Sequence, residues 1–170
     1  MMKKVLIGLA AVLVIIQFIR PAKNVSGEST YDISTKYPVP EEVAHLLKVA
    51  CNDCHSNTTV YPWYSNIQPV GWWLSQHVND GKRHLNFSEF TSRRIAIQNH
   101  KFEETIEMIK EGEMPLESYT MLGLHAEANL NDAQKQLLID WAQAQMDTLA
   151  AHYPPDSLKM PRRPPPSPEK

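Results

Sequence analysis

Cysteine is scarce in this sequence, which contains only two in 170 residues. Two cysteines are too few for the disulfide framework that holds many small extracellular folds together. A strong excess of one charge is also missing, because the formal net charge is −2. We therefore expect no nucleic-acid partner and no strongly charged binding surface.

The sequence also lacks stretches in which apolar and polar residues alternate, so no β-sheet is expected. Apolar residues instead recur at helical spacing, which predicts an all-α fold. We expect helices that begin near Pro40, Pro69, Ser92 and Asn131. Pro suits the first helical turn, and Asn131 with Gln134 forms a capping-box pattern. Gly81 and Gly112 are expected to end the second and third of these helices.

One long apolar run is present at the N-terminus. Val5 to Ile19 is apolar except for Gln17, and it follows Lys3 and Lys4. The run is short for a full membrane span, which needs about 17–25 residues. No small-x-small cleavage site follows it. We therefore predict an uncleaved signal-anchor over residues 1–20, with a cleaved signal peptide as the alternative, and either form exports the rest of the chain.

Composition divides the remaining chain into three parts. Residues 21–37 are largely polar and are expected to form a linker. Residues 38–152 contain the predicted helices and are expected to form one domain. Residues 153–170 are rich in proline and cannot bury a core, so we predict a disordered tail.

The two cysteines form the motif Cys51-Asn-Asp-Cys54-His55. A thioredoxin-like redox pair would follow a strand, whereas here a predicted helix precedes the motif. A structural zinc site requires four ligands, and no second cysteine pair is available. A disulfide within the motif would join nothing distant. Two thiols at this spacing can instead bond the two vinyl groups of a porphyrin, with the adjacent His55 as an iron ligand.

Further motifs surround these residues in a recognisable order. They read CNDCHSN, YPWYSNIQPVGWWL, NDGKRHLNFSEF, GEMP and LNDAQKQLLIDWA. Between Pro38 and Leu149, the chain resembles the bacterial exported haem-binding domain proteins, which are related in motif to c-type cytochromes. The resemblance implies a small helical domain with one covalent haem c. It also implies that Cys51 and Cys54 form the thioether bonds and that His55 is the proximal iron ligand. Together with the N-terminal segment, it predicts a location in the bacterial inner membrane, facing the periplasm, or a cleaved periplasmic form.

Haem iron commonly takes a second axial ligand from Met or His in electron carriers. We predict Met114, because Pro115 keeps its segment out of a helix and allows the side chain to point inward. The segment also resembles the distal-ligand loop of many c-type cytochromes. A methionine that only fills a gap in the core is the alternative interpretation. Met121, His77 and His125 are further candidates for the ligand.

Aromatic side chains are dense after the motif and are expected to wall a haem pocket, although an ordinary core would use the same residues. They are Trp63, Tyr64, Trp72 and Trp73. Three arginines are candidates to bind the haem propionates: Arg83, Arg93 and Arg94. We expect a carbonyl between Thr58 and Pro69 to accept the free ring N–H of His55.

No acid, base or nucleophile with a substrate pocket of its own is evident in the sequence. The leading hypothesis is therefore a membrane-tethered monohaem cytochrome c that passes single electrons between redox partner proteins. A haem enzyme or sensor, such as a peroxidase or a gas-binding protein with an open iron position, is the alternative. A third hypothesis is an assembly factor in which the haem is structural.

Overall fold

The computed structural model of the chain describes residues 1–160, and these residues form helices with no strand. The α-helices are α1 (Met2–Ile16), α2 (Glu41–Ala50), α3 (Asn52–His55), α4 (Val70–His84), α5 (Ile95–Glu111), α6 (Glu117–Thr120), α7 (Asp132–His152) and α8 (Pro155–Leu158). Short 3₁₀ turns lie at Ile33–Thr35, Trp63–Asn66, Phe87–Ser92, Met121–Gly123 and Ala126–Ala128. The predicted all-α fold is confirmed for this part of the chain.

The core lies where α2, α5 and α7 pack together. Val43, Phe102 and Leu138 come from these three helices and are its most deeply buried large side chains. Each of these residues lies on the apolar face of its helix, where apolar residues recur at helical spacing. Burial of these faces against one another stabilises the three helices together. Helix α2 leads directly into the cysteine motif, and the core therefore fixes the position of that motif.

Two predicted helix boundaries are confirmed, and one was wrong. Asn131 and Gln134 form the complete capping box at the start of α7. Gly112 ends α5 with φ of 76°, a left-handed conformation that glycine adopts without steric cost. Gly81 does not end its helix, because α4 continues to His84. The reason for this glycine is a close contact with another helix, described below.

Residues 21–37 differ from the linker that their composition predicts, because they pack against the domain. The backbone N–H of Asn24 donates to Tyr61 Oη at 2.8 Å, and its side chain accepts from Lys82 Nζ at 2.6 Å. Ile33 and Tyr37 are buried in the core. Polar side chains here satisfy neighbouring backbone and side-chain groups, and two apolar residues provide the burial that holds the segment in place.

The C-terminal segment also differs from its prediction as far as the structure describes it. Tyr153 and Leu158 pack against the core, and Pro155–Leu158 forms the short helix α8. The domain therefore continues beyond residue 152. The remainder of the predicted Pro-rich tail, residues 161–170, lies outside the described residues.

Helix α1 has no buried residue, and all of its apolar side chains are exposed except that of Ile16, which is half-buried. Its end is joined to the domain by a reciprocal pair of hydrogen bonds. Gln17 Nε2 donates to the Gln68 carbonyl at 3.1 Å, and the Gln68 N–H donates to Gln17 Oε1 at 2.9 Å. Among residues 1–160, none of the helices combines the length and the apolar content needed to cross a membrane.

Candidate functional site

The cysteine motif begins where α2 ends. The Cys51 N–H closes the last turn of α2 by donating to the Leu47 carbonyl at 3.0 Å. The chain then turns once more as α3, in which the His55 N–H donates to the Cys51 carbonyl at 2.9 Å. This single turn brings both thiols and the imidazole of His55 into one short stretch of helix, and the two cysteines are not bonded to each other.

Helix α3 lies directly against α4 at Gly81. A Cβ atom at this position would lie 2.6 Å from the Cys54 carbonyl oxygen and 3.0 Å from Cys54 Cβ. Both distances are too short for any side chain, so only glycine permits this approach. The absence of a side chain at Gly81 therefore allows the motif to contact the backbone of α4.

This contact orients the imidazole of His55. Nδ1 of His55 lies 3.1 Å from the Gly81 carbonyl oxygen and 3.0 Å from the Leu85 carbonyl oxygen. Two acceptors at Nδ1 require the proton there, which leaves the lone pair on Nε2. The prediction of a carbonyl between Thr58 and Pro69 was wrong. One partner, Gly81, belongs to the last turn of α4, and the other, Leu85, is the residue that follows this helix.

Burial sets the protonation of all three motif side chains. It lowers the pKa of His55, because a charged imidazole would lose its hydration, so the ring is neutral near pH 7. Burial also raises the pKa of Cys51 to about 12 and that of Cys54 to about 11. The cysteines are therefore thiols at neutral pH, whereas the reactive cysteine of a thioredoxin-like site has a lowered pKa.

A largely apolar cavity of about 340 Å³ opens beside α3. Its lining includes Cys54 of α3, Leu116 from the segment after α5, and Val70, Trp73 and Leu74 of α4. Such a lining provides the apolar contact that a porphyrin requires. The cavity therefore lies where a group bonded to Cys54 would extend.

The structure brings only some of the predicted pocket residues to this cavity. Tyr64 and Trp73 line it. Trp63 does not, because 75% of it is exposed to solvent. Trp72 instead donates its indole N–H to the Ile19 carbonyl at 2.7 Å, at the end of the N-terminal segment. None of the three candidate propionate-binding arginines lines the cavity: Arg83, Arg93 and Arg94 are all exposed.

The candidate distal ligands are also divided. Met121, His77 and His125 line the cavity. Met114 is outside its lining, and the backbone N–H of Met114 donates to the Met108 carbonyl at 3.2 Å, just after α5. The assignment of Met114 as an iron ligand stays a prediction.

A polar cluster that the sequence did not reveal lies in the wall of the cavity. Tyr119 donates its hydroxyl hydrogen to Asp53 Oδ2 at 2.7 Å, and its ring stacks on His125 with centroids 4.0 Å apart. Tyr64 Oη lies 3.2 Å from His125 Nε2. Burial and the Asp53 carboxylate both raise the pKa of Tyr119, so this hydroxyl keeps its proton. The cluster joins the segment Leu116–His125 to the cysteine motif.

Asp53 has a second structural role, because its Oδ1 accepts the Val60 N–H at 2.9 Å. One carboxylate thus holds both the loop after the motif and the segment that carries Tyr119. The location of Asp53 between the two cysteines was the one feature of the sequence that could have indicated this structural role. No signal in the sequence identified Tyr119, because its partner lies 66 residues away.

These residues fit a haem. The thiols of Cys51 and Cys54 can form thioether bonds, and the neutral His55 ring has its Nε2 lone pair available for iron. An apolar cavity adjoins Cys54. Within residues 1–160, no group of three or more His, Cys, Asp or Glu side chains is arranged to hold a metal ion, as a structural zinc site would require.

Comparisons with known proteins give one clear result. Neither the curated proteins nor the solved structures include a significant match to this chain. The family model described as "Haem-binding domain" matches residues 11–144, which is most of the sequence. The matched range contains the cysteine motif, the cavity and the carbonyls that orient His55. The chain therefore belongs to the haem-binding domain family.

Proposed function

We propose that this protein is a membrane-tethered monohaem c-type cytochrome that transfers single electrons. Cys51 and Cys54 attach one haem covalently, and His55 binds its iron. The observation that carries this proposal is the geometry of His55, which lies on the same helical turn as two thiols and whose ring is held through Nδ1 by two backbone carbonyls.

Each residue of the motif has a separate task. The two thiols fix the orientation of the porphyrin, and α2 with Gly81 fixes the orientation of the thiols. The carbonyls at Nδ1 keep the His55 ring from rotating and increase its basicity as a ligand. When bound, the haem supplies the one-electron chemistry, and the protein adjusts its potential through ligands, burial and hydrogen bonds.

Electron carriers commonly have a second axial ligand, because a fully coordinated iron changes little in structure when it changes oxidation state. Met114 is the candidate that the sequence motif favours. Met121 is the candidate that the geometry favours, because it lines the cavity together with Cys54. Both lie in the loop between α5 and α7, so this loop supplies the distal ligand in either case.

A haem enzyme or sensor is a second candidate function. The observation that favours it is the cluster of Tyr64, Tyr119 and His125, three groups with hydrogen-bonding atoms at the cavity. Polar groups beside an open iron position can bind and polarise a small ligand. In the electron-carrier proposal, the same cluster positions the loop that carries the distal ligand.

Helix α1 forms most of the proposed tether. Apart from Lys3 and Lys4 it is apolar, and none of its residues is buried by the protein, so insertion into a membrane would remove a large apolar surface from water. Because α1 by itself does not meet the length needed to cross a membrane, the proposed tether is the whole segment of residues 1–20. The domain then faces the periplasm at the inner membrane, where haem attachment and redox partner proteins are both accessible. Unidentified partner proteins donate and accept the electrons.

Optical spectra and a haem-stained denaturing gel test this function. The full chain, expressed with a haem-attachment system, should give a stained band and a six-coordinate, low-spin spectrum in both oxidation states. Replacing both cysteines, Cys51→Ala with Cys54→Ala, should remove the stain. An unstained wild-type band would contradict covalent attachment, and a high-spin ferrous form that binds carbon monoxide would favour the enzyme or sensor function.

The same spectra assign the distal ligand. Met114→Ala and Met121→Ala are matched variants within one loop, and only loss of the true ligand should give a high-spin form. A low-spin spectrum in both variants would direct attention to His77 and His125, which also line the cavity.

A further inference from the structure

Several large apolar side chains are exposed near the end of α1, and only one of them, Trp73, also lines the proposed haem cavity. Trp63 is 75% exposed, and Ile67 and Trp73 are each 46% exposed. On the α1 side, Phe18 is 82% exposed and Ile19 is 59% exposed. Large apolar side chains scattered singly are ordinary, whereas a group around one structural feature calls for a partner.

Hydrogen bonds place this group directly beside α1. Gln68, next to Ile67 in the chain, forms the reciprocal pair with Gln17. Trp72, next to Trp73, donates its indole N–H to the Ile19 carbonyl. Ile67 and Trp73 are therefore the chain neighbours of two residues that are bonded to the segment at the end of α1.

Positive charge lies at the same junction. Lys23 Nζ donates to Asn66 Oδ1 at 3.2 Å and lies 5.1 Å from the centre of the Tyr61 ring. Arg20 is exposed at the start of the segment that leaves α1. Tryptophan, tyrosine, lysine and arginine beside an apolar helix are the residue types that concentrate at a membrane–water interface.

We propose that this surface, which we call the collar and which consists of Phe18, Ile19, Trp63, Ile67 and Trp73, sits in the interfacial layer of the bilayer that α1 enters. This inference rests on the proposed membrane tethering and goes beyond it. Lipid acyl chains at the headgroup boundary bury the apolar side chains of the collar. Arg20 and Lys23 contact anionic headgroups.

The collar also determines which side of the domain faces the bilayer. Trp73 belongs both to the collar and to the lining of the cavity beside Cys54. The cavity edge formed by the start of α4 therefore lies next to the bilayer.

Cysteine accessibility in vesicles tests the inference. The haem-loaded full chain is added to preformed vesicles of phosphatidylcholine with a minority of phosphatidylglycerol, and it is treated with a membrane-impermeant polyethylene-glycol maleimide. Ile67→Cys places a thiol in the collar. Gln143→Cys is the matched control, because Gln143 is exposed on α7 and forms only a surface hydrogen bond with Asp147. Each labelling rate is divided by that of the same variant in denaturant.

We expect I67C to be labelled at least about tenfold more slowly than Q143C, because a side chain at the headgroup–acyl boundary is withdrawn from water. Omitting phosphatidylglycerol should reduce this protection in I67C, and adding Arg20→Gln with Lys23→Gln should remove the dependence on that lipid. Equal rates for vesicle-bound I67C and Q143C would overturn the proposal. Protection that rises with the protein-to-lipid ratio would also overturn it, because a second copy of the chain would then cover the collar.

Controls separate this result from the proposed function. The parent chain should take up no maleimide, because both native cysteines are in thioether bonds, and labelling of the parent would contradict haem attachment instead. Protein that washes off the vesicles would contradict the tether, and with it the collar. Retained protein with a freely labelled I67C would contradict the collar alone.

Discussion

Replacing Gly81 with alanine should disturb the haem site through one methyl group. The new Cβ would lie 2.6 Å from the Cys54 carbonyl oxygen, where an ordinary contact begins near 3.4 Å. Neither this oxygen nor Cys54 Cβ can rotate away, because both positions are fixed by the backbone of α3. Helices α3 and α4 must therefore separate by about 0.8 Å, and the carbonyls of Gly81 and Leu85 move away from His55.

The cost in stability follows from two opposing effects. Overpacking of this kind costs about 1–3 kcal/mol. Alanine inside a helix returns about 0.5–1 kcal/mol relative to glycine. With the midpoint of each range, the free energy of unfolding should fall by about 1.25 kcal/mol, which lowers Tm by about 2.5–5 °C in a domain of this size. Thermal unfolding of the haem-loaded protein measures this value.

The redox potential provides a second readout. In the proposed coordination by His55, a weaker hydrogen bond at Nδ1 makes the ring a poorer donor to iron, which disfavours the ferric form and raises the potential. A loss of about 0.5–1.5 kcal/mol at this bond corresponds to an increase of about 20–60 mV for one electron.

Gly71→Ala is the matched control, because its added Cβ would also press against a backbone carbonyl, that of Ser65, but at the opposite end of α4. It should also lower Tm, yet leave the potential and the spectrum unchanged. An unaltered Tm in G81A, or an equal potential shift in both variants, would refute the reasoning.

Three further predictions test the supporting structure. Tyr119→Phe removes the hydrogen bond to Asp53, so the free energy of unfolding should fall by about 1.5–3 kcal/mol in chemical denaturation. A change below about 0.5 kcal/mol would show that this bond contributes little. Ending the chain at residue 152 removes Tyr153 and Leu158 from the core and should lower the free energy of unfolding by about 1–3 kcal/mol. Ending it at residue 160 keeps both residues and is the control. Equal melting temperatures for the two truncations would contradict the packing of Tyr153 and Leu158. Asn131→Ala should destabilise the chain by about 1 kcal/mol through the loss of the capping box, and Asn131→Asp, which keeps the acceptor, should restore most of it in the same denaturation experiment.

The sequence allowed the local features to be predicted well. Helical spacing and the capping pattern at Asn131 depend on residues within a few positions, and the structure confirms both. The cysteine motif likewise contains its chemistry within five residues, and the family match supports the haem-binding prediction. Local patterns were sufficient wherever the cause lay within one or two helical turns.

Features that depend on distant contacts were missed. Glycine is common at helix ends, so Gly81 was predicted to end its helix. Its actual role, which is to let Cys54 approach the backbone of α4, depends on a contact between two helices. The carbonyls that hold His55 come from 26 and 30 residues further along the chain. Trp63 and Trp72 were expected at the pocket because they follow the motif, yet proximity in sequence did not determine which side of the chain they face. Tertiary packing decides these positions, and contacts between residues that are distant in the chain cannot be predicted from local patterns in one sequence.

The attachment of residues 21–37 to the domain limits how far the proposed haem can travel. A free segment of this length would let the domain explore a radius of about 20–25 Å around its anchor. Asn24 forms hydrogen bonds with Tyr61 and Lys82, so only the few residues between α1 and Asn24 can act as a flexible linker. Under the proposed function, a domain held in this way would not reach a donor and an acceptor that are far apart. The proposed redox partners would instead meet the domain at a nearly constant distance from its proposed anchor.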